Sequence, residues 1–509
     1  MSGSIVARIT ATLTFFGVVV AVILQGMVVL CKSPLSLKLE RAFPHGDQMK
    51  LTELRDRDIL RHSKFLRWSS TNDYIDFHLQ GSYDPYGVGL YYTKVQLGSP
   101  PKDYYVQVDT GSDDLWVNCK DCKGCPTSSG LKIPMVLYDP SSSSTSSLIS
   151  CSDKICSIGI KSSDARCGKH NQCIYSFKYG DGSATSGYYV SDVVHLEMMS
   201  NDTNPSSNAS STVMFGCSTY QAGELTLPDR AVNGIFGFGP QGVSVISQLA
   251  SQGAAPDAFS HCLVGHGDGG GILVLGQIMD PNMVYSPLLP SQQHYYLHLE
   301  SIIVNDKMLP IDPSVFESSN SQKGAVIDSG TTLGYLVEAA YDPFVEAITK
   351  SVPQSVEPFD GKGYQCYVTK NSVSEVFPTV SFNFAGDASM VLKPENYLLK
   401  QKTVGDESAW CIGFQKIKGQ GLTILGDIVL KDKSIVYDLG GQRIGWVDHD
   451  CTKPVNVSTK STSRRRMSNA STMDHKSSLH NTLYKLTPIM ILASMLHLSV
   501  FHDFLLVTS

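Results

Sequence analysis

A chain of 509 residues, 42% hydrophobic and 17% charged, can bury a large core and form more than one folding unit, which excludes an intrinsically disordered protein. Its formal net charge of −6 hides an uneven distribution, since residues 69–452 hold 24 Lys and Arg against 40 Asp and Glu. A body this acidic repels phosphate backbones, so nucleic acid is excluded as a partner.

Taken in chain order, the first element is Arg8 followed by an apolar run from Phe15 to Ile23 that extends to Leu30. This is the layout of a secretory signal, assigned to 1–31 with an approximate boundary, and it predicts export. An uncleaved signal anchor competes with it, because the run is long and no A-x-A site follows. Residues 32–75 come next, and within them 37–68 carry eight Lys or Arg against five acids. A solvated helix is one reading of that stretch. A pro-segment that neutralises an acidic cleft until its removal fits better beside the motifs downstream.

From "GLYYTKVQLGSPPKDYYVQV" onward, short runs rich in Val, Ile, Tyr and Phe alternate with Gly, Ser, Asn and Pro. That pattern predicts strands, tight turns and an all-β fold. A first β lobe spans 76–284, and the chain starts afresh near "YSPLLPSQQHYYLHLESIIV" to give a second over 285–452. Each half runs a strand into an acid, a small hydroxyl residue and a glycine, in "YYVQVDTGSDDLWVN" and in "GAVIDSGTTLGYL". Each later carries an apolar stretch with glycine, "NGIFGFG" and "TILGD". The shared order of motifs points to internal duplication and two lobes facing one another.

A carboxylate in a tight loop calls for glycine, where the backbone turns without a Cβ, and for a small hydroxyl that fixes the loop by hydrogen bonds. Asp109-Thr110-Gly111-Ser112 and Asp328-Ser329-Gly330-Thr331 both answer that description. One such tetrapeptide is usually an ordinary turn, but two in matching halves are specific. If Asp109 and Asp328 meet, repulsion keeps both from ionising and the pair shares one proton. The ionised carboxylate can then take a proton from water while the protonated one donates to a peptide carbonyl. Such hydrolysis requires no metal, no cofactor and no covalent intermediate.

Through "VDTGSDDLWVNC", "YGDGSATSGYYVSD", "GIFGFG", "AVIDSGTTLGYL" and "TILGD", the chain over residues 85–452 resembles the pepsin-like aspartic peptidases, and most of all their plant, cysteine-rich, nepenthesin-like branch. The resemblance implies a bilobal fold with a cleft between related β lobes, and a monomer that cuts extended peptide or protein substrates in acid. It implies Asp109 and Asp328 as the catalytic pair, Ser112 and Thr331 as donors to their outer oxygens, and Thr110 and Ser329 as ties beneath the dyad. Tyr179 and Gly180 correspond to the flap, and Trp116 to the tryptophan paired with the flap tyrosine; plain packing is the alternative for both aromatics. "GIFGFG" and "TILGD" take supporting roles. Asp113 and Asp114 depart from the pattern, and two readings stay open: they raise the pKa of the dyad, or they lie in solvent.

Rival functions are weaker. A catalytically inactive binding or inhibitor protein is the runner-up, although both acid loops and Tyr179 are present. Residues 237–242 satisfy G-x-G-x-x-G, but Pro240 and the lack of a βαβ unit speak against a dinucleotide. A serine hydrolase is disfavoured because no G-x-S-x-G occurs.

Of 13 cysteines, Cys31 lies at the signal boundary, and the remaining even number in an exported chain predicts disulfides. Cys119, Cys122 and Cys125 could instead hold a metal, but no fourth ligand stands at a suitable spacing. Cys151, Cys156, Cys167 and Cys173 form an insertion that fits the nepenthesin-like branch. The expected pairs are Cys366 with Cys411, and Cys217 with Cys451.

Asn201, Asn208 and Asn456 head N-glycosylation sequons. Residues 453–485 read as a Ser/Thr-rich basic stalk. Residues 486–509 form an apolar tail that His497, His502 and Asp503 make a poor membrane span. It fits a GPI-attachment signal, with Asn469 or Ser471 as the attachment residue and the extracellular side of the plasma membrane as the location.

Overall fold

The computed structural model describes residues 76–82 and 90–459, apart from 198–207, 268, 317–323, 362, 405–406 and 418–421. The signal, the pro-segment, Asn201, Asn469, Ser471 and the apolar tail lie outside the described residues.

The described chain is mostly β. Period-two patterning explains the individual strands: Lys102–Asp109 buries Tyr104, Val106 and Val108 while the residues between them stay partly exposed. Val380–Phe384 and Ala388–Leu392 alternate in the same way across an antiparallel pair. Each strand thus turns one face to a core, as its alternation requires.

Three strands recur as a unit. Lys102–Asp109 lies parallel to Gly234–Gly237, which is antiparallel to Leu115–Lys123. In the second half Gly324–Ile327 lies parallel to Leu422–Leu425, which is antiparallel to Gly334–Val337. The duplication inferred from motif order is therefore a repeat of hydrogen-bonding topology. It delivers Asp109 and Asp328 to the same place in each unit, at the end of the first strand.

The halves also share a sheet. Val284–Pro287 pairs with Arg443–Asp448, which pairs with Lys433–Asp438, and that strand pairs with Ala258–Leu263 of the first half. The main core is continuous between them, with Val108, Phe238 and Phe259 in one cluster with Ile327, Leu425 and Tyr437. Phe259 and Tyr437 stack with ring centroids 4.3 Å apart. Beyond residue 452, where the composition turns Ser/Thr-rich, Val457–Ser458 still pairs with Gln277–Ile278. Val455 and Val457 are buried beside Cys262 and Cys451, so two valines hold the start of the expected stalk against the body.

Among the described residues six disulfides form. Cys366 is bonded to Cys411, directly opposite it on a neighbouring antiparallel strand. The expected bond between Cys217 and Cys451 does not form: Cys217 is bonded to Cys119, and Cys451 to Cys262. The reason is register. Val117 lies level with Cys217 in a parallel pair, which brings Cys119 within bonding range, whereas Cys451 follows Arg443–Asp448, which is separated from the strand bearing Cys262 only by Lys433–Asp438, and packs in one buried cluster with Cys262. Cys122 is bonded to Cys125, so all three cysteines of the "CKDCKGC" cluster are in disulfides. The cysteine-rich insertion before Tyr179 is held by Cys151–Cys167 and Cys156–Cys173. Among the described residues no helix is long and apolar enough to cross a membrane.

Candidate active site

Asp109 and Asp328 sit in loops that mirror one another atom by atom. Gly111 N donates to Asp109 Oδ1 at 2.8 Å and Ser112 Oγ to Oδ2 at 2.5 Å. Gly330 N donates to Asp328 Oδ1 at 2.8 Å and Thr331 Oγ1 to Oδ2 at 2.5 Å. Beneath them the middle residues cross between halves. Ser329 N donates to Thr110 Oγ1 at 2.9 Å, and Thr110 N to Ser329 Oγ at 3.3 Å. Each hydroxyl then donates to the strand of the other half, Thr110 Oγ1 to the Ile327 carbonyl and Ser329 Oγ to that of Val108, both at 3.3 Å.

The glycines have a different reason from the one the sequence suggests. Neither Gly111 nor Gly330 is among the glycines with positive φ, so neither is needed to turn the chain. A Cβ on Gly111 would stand 2.5 Å from Asp328 Oδ1, and one on Gly330 2.1 Å from Asp109 Oδ1. Each loop carries glycine because the other loop's carboxylate passes over it.

This closeness sets the electrostatics. Asp109 is only 6% exposed, and burial, followed by the charge of Asp328, pushes its pKa well up. Hydrogen bonds from Ser112 and Gly111 pull it back only in part. The pair therefore favours one shared proton. Asp427, at the end of "TILGD", is 3% exposed and its pKa is raised by burial and by the charges of Asp328 and Asp109. Its Oδ1 has no hydrogen-bond partner among the described residues. As a motif that stretch takes a supporting role only; the one signal of more in the sequence is an acid placed directly after the glycine that ends an apolar run.

Tyr179 follows the strand Cys173–Lys178, which pairs with Ala184–Glu197 to make a hairpin. Its turn is closed by Tyr179 N donating to the Ser183 carbonyl at 2.8 Å, and Asp181 Oδ1 accepts from Ser183 N at the same distance. Gly180 is exposed at the tip, whereas Gly182, with φ of 88°, is the residue that needs glycine. Trp116 Nε1 donates to the Tyr179 hydroxyl at 2.8 Å. The two aromatics are therefore joined by a specific bond as well as by packing.

Asp114 does not lie in solvent. It is 5% exposed, and its Oδ1 accepts from the Tyr189 hydroxyl at 2.7 Å. Burial and the charge of Asp164 hold its pKa well above the usual carboxylate range. Asp113 is half-buried and accepts from Gln241 N at 2.8 Å. Neither environment is legible locally, because Tyr189, Asp164 and Gln241 are brought in by tertiary folding. Of the described sequons, Asn456 is exposed, and Asn208 opens the strand Asn208–Ala222. Among the described residues no group of three or more His, Cys, Asp or Glu is placed to hold a metal ion.

Residues 91–277 match the family model described as the xylanase inhibitor N-terminal domain, and 294–448 match the xylanase inhibitor C-terminal domain. The chain is 37% identical to aspartic proteinase 36 of Arabidopsis thaliana over 90% of its own length and 92% of that protein. It is 29% identical to aspartic proteinase nepenthesin-1 of Nepenthes gracilis, covering 72% and 79% of the two chains. The soybean basic 7S globulin has the same fold, with a TM-score of 0.57 at 20% identity over 75% of this chain and 98% of that one. With mirrored acid loops on a duplicated β framework, and relatives named aspartic proteinases along nearly its whole length, the chain belongs to the pepsin-like family of aspartic endopeptidases.

Proposed function

We propose that Asp109 and Asp328 form the catalytic dyad and hydrolyse peptide bonds in acid through an activated water. The observation that carries this reading is the cross-packing of the two loops, in which each carboxylate passes over the other loop's glycine. One ionised and one neutral carboxyl then share a site. The ionised group removes a proton from the water as it attacks the scissile carbonyl, and the neutral group donates to the carbonyl oxygen. The roles reverse as the tetrahedral intermediate collapses and the amine leaves. Tyr179, held by Trp116, closes over an extended substrate and excludes bulk water. The test is digestion of a denatured protein at several pH values, with and without a statine-type inhibitor. Inhibitor-sensitive cleavage confined to acid is the expected result. Failure of the mature protein to cleave anything from acid to neutral pH would move a binding or inhibitor role into first place.

The same reading extends to processing and location. Residues 1–31 act as the export signal, 32–75 as a removable basic pro-segment over the acidic cleft, and Asn201, Asn208 and Asn456 as glycan acceptors. The Ser/Thr-rich stretch that follows the packed Val455 and Val457 forms a stalk, and a GPI anchor at Asn469 or Ser471 replaces everything after that residue, the apolar tail 486–509 included, leaving a monomer on the outer face of the plasma membrane. The apolar tail interrupted by His497, His502 and Asp503 supports the lipid anchor over a span.

A further inference from the structure

The stretch Gly237-Phe238-Gly239-Pro240-Gln241-Gly242 is only a support segment by sequence, yet its main chain grips the Asp109 loop at four points. Phe238 N donates to the Asp109 carbonyl at 2.8 Å, Gly239 N to that of Ser112 at 2.8 Å, and Gly237 N to that of Asp114 at 3.0 Å. Pro240 has no N–H to offer. The fourth donor is Gln241 N, and a side chain meets it: Asp113 Oδ1, at 2.8 Å. The approach is tight, since a Cβ on Gly239 would stand 2.3 Å from Asp113 Oδ1 and one on Gly237 2.5 Å from the Asp113 carbonyl carbon. In the second half the corresponding bonds run between main-chain atoms, Asp427 N to the Thr331 carbonyl at 2.7 Å and Ile428 N to that of Thr332 at 3.0 Å.

We propose that Asp113 is a positioning residue for the hydrolysis: by taking the Gln241 N–H, its side-chain oxygen holds Ser112, and through Ser112 the outer oxygen of Asp109, in the orientation the dyad uses. The inference rests on the dyad reading above. Ser112 Oγ meets Asp109 Oδ2 at 2.5 Å, a distance that small rotations of the loop would lose. The Ser112 carbonyl is pinned by Gly239 N, and the next side chain by Gln241 N. The charged groups acting on Asp113 are Asp164 and Asp109, and Tyr295 and Asp114 also face it. His294 lies beyond, within reach of Asp164. Burial raises the Asp113 pKa to about 8 against the opposing pull of the Gln241 bond, so in acid the group is a neutral carboxyl whose carbonyl oxygen accepts.

An amide should therefore replace it where a methyl cannot. Asp113→Ala in the purified mature protein is expected to lower kcat about 10-fold or more with KM nearly unchanged, the scale of one lost hydrogen bond to a polar loop. Asp113→Asn should keep kcat within about 3-fold in acid, because its oxygen accepts the same N–H. It should also flatten the fall of Tm between pH 4 and 8, since the raised acid is gone. Wild-type kcat in the alanine variant, equal losses in both variants, or a rise in KM alone would each overturn the proposal. Should the alanine variant not fold, the asparagine variant decides alone: retained acid activity with a flattened Tm slope supports the proposal, and a 10-fold loss sinks it. If the wild type cleaves nothing, the dyad reading has failed, and the clamp is judged by Tm. A lower value for Ala and a flatter slope for Asn support it; three superimposed curves overturn it.

Discussion

The hydrogen bonds around Asp109 and Asp328 are so alike that neither carboxylate carries an obvious separate duty. In the proposed mechanism what differs between them at any moment is one proton. Asp109→Asn, Asp328→Asn and the double variant should therefore be almost equally inactive, each losing at least about 1,000-fold in kcat/KM, because groups that act as a unit do not contribute additively. Steady-state assays on the three folded variants check this; a single variant keeping a tenth of the rate would contradict it. Gly330→Ala tests the crossing of the loops. Its methyl would press on Asp109 Oδ1 at 2.1 Å, so activity should be lost while Asp109 remains in the sequence. A fully active variant would show that the loops can part without consequence.

Among the elements, the strand Leu115–Lys123 carries two unrelated burdens: it presents Trp116 to the Tyr179 hydroxyl, and through Cys119 it is bonded to Cys217. Trp116→Phe keeps the bulk but removes the donor to Tyr179. It should lower kcat/KM about 10-fold, with little change in Tm, as expected for one hydrogen bond that orders a closing hairpin. The disulfides on this strand differ in loop length. Cys119–Cys217 closes a separation of 98 residues, whereas Cys122–Cys125 closes only 3. In the loop-entropy model their removal costs about 4.7 and under about 2 kcal/mol respectively. Denaturant unfolding of paired Cys→Ser variants measures both, and equal losses would argue that strain or residual structure in the unfolded chain dominates.

At the scale of the whole molecule, Asp109 and Asp114 are buried and Asp113 half-buried, and none forms an ion pair with a cation among the described residues. The pKa of Asp109, Asp113 and Asp114 is raised in each case chiefly by burial. The folded state thus holds protons that the unfolded chain releases at ordinary carboxylate pH. Stability from these groups is fully present below the unfolded value of 3.8 and is lost as pH rises through the folded values, which for Asp113 means about 8. Buried His261, whose pKa is lowered to about 3 from 6.5, works the other way below that ordinary value, so Tm should fall toward pH 8 most clearly above it, the reverse of a protein stabilised by salt-bridged carboxylates. Activity should decline on the same side, because the dyad loses its shared proton and with it the donor to the scissile carbonyl. A Tm that rises over this range would show that burial is offset by contacts to the ionised forms. For the anchor, a phosphatidylinositol-specific phospholipase should free the protein from intact cells, whereas retention with the tail peptide still attached would exclude the lipid.

By itself the sequence determined which residues make the two acid loops, because D-T-G-S and D-S-G-T are local strings and their order within two halves is written along the chain. It also determined the fold class, since alternation with a period of two is a property of neighbouring residues. Tertiary structure alone decided what those residues meet. Gly111 and Gly330 are each explained by a carboxylate from the other half of the chain, and Asp113 by an N–H that Pro240 displaces to Gln241. The partners of Cys217 and Cys451 were likewise set by strand register, because sequence separation fixes the length of a loop but not which cysteine lies across from it.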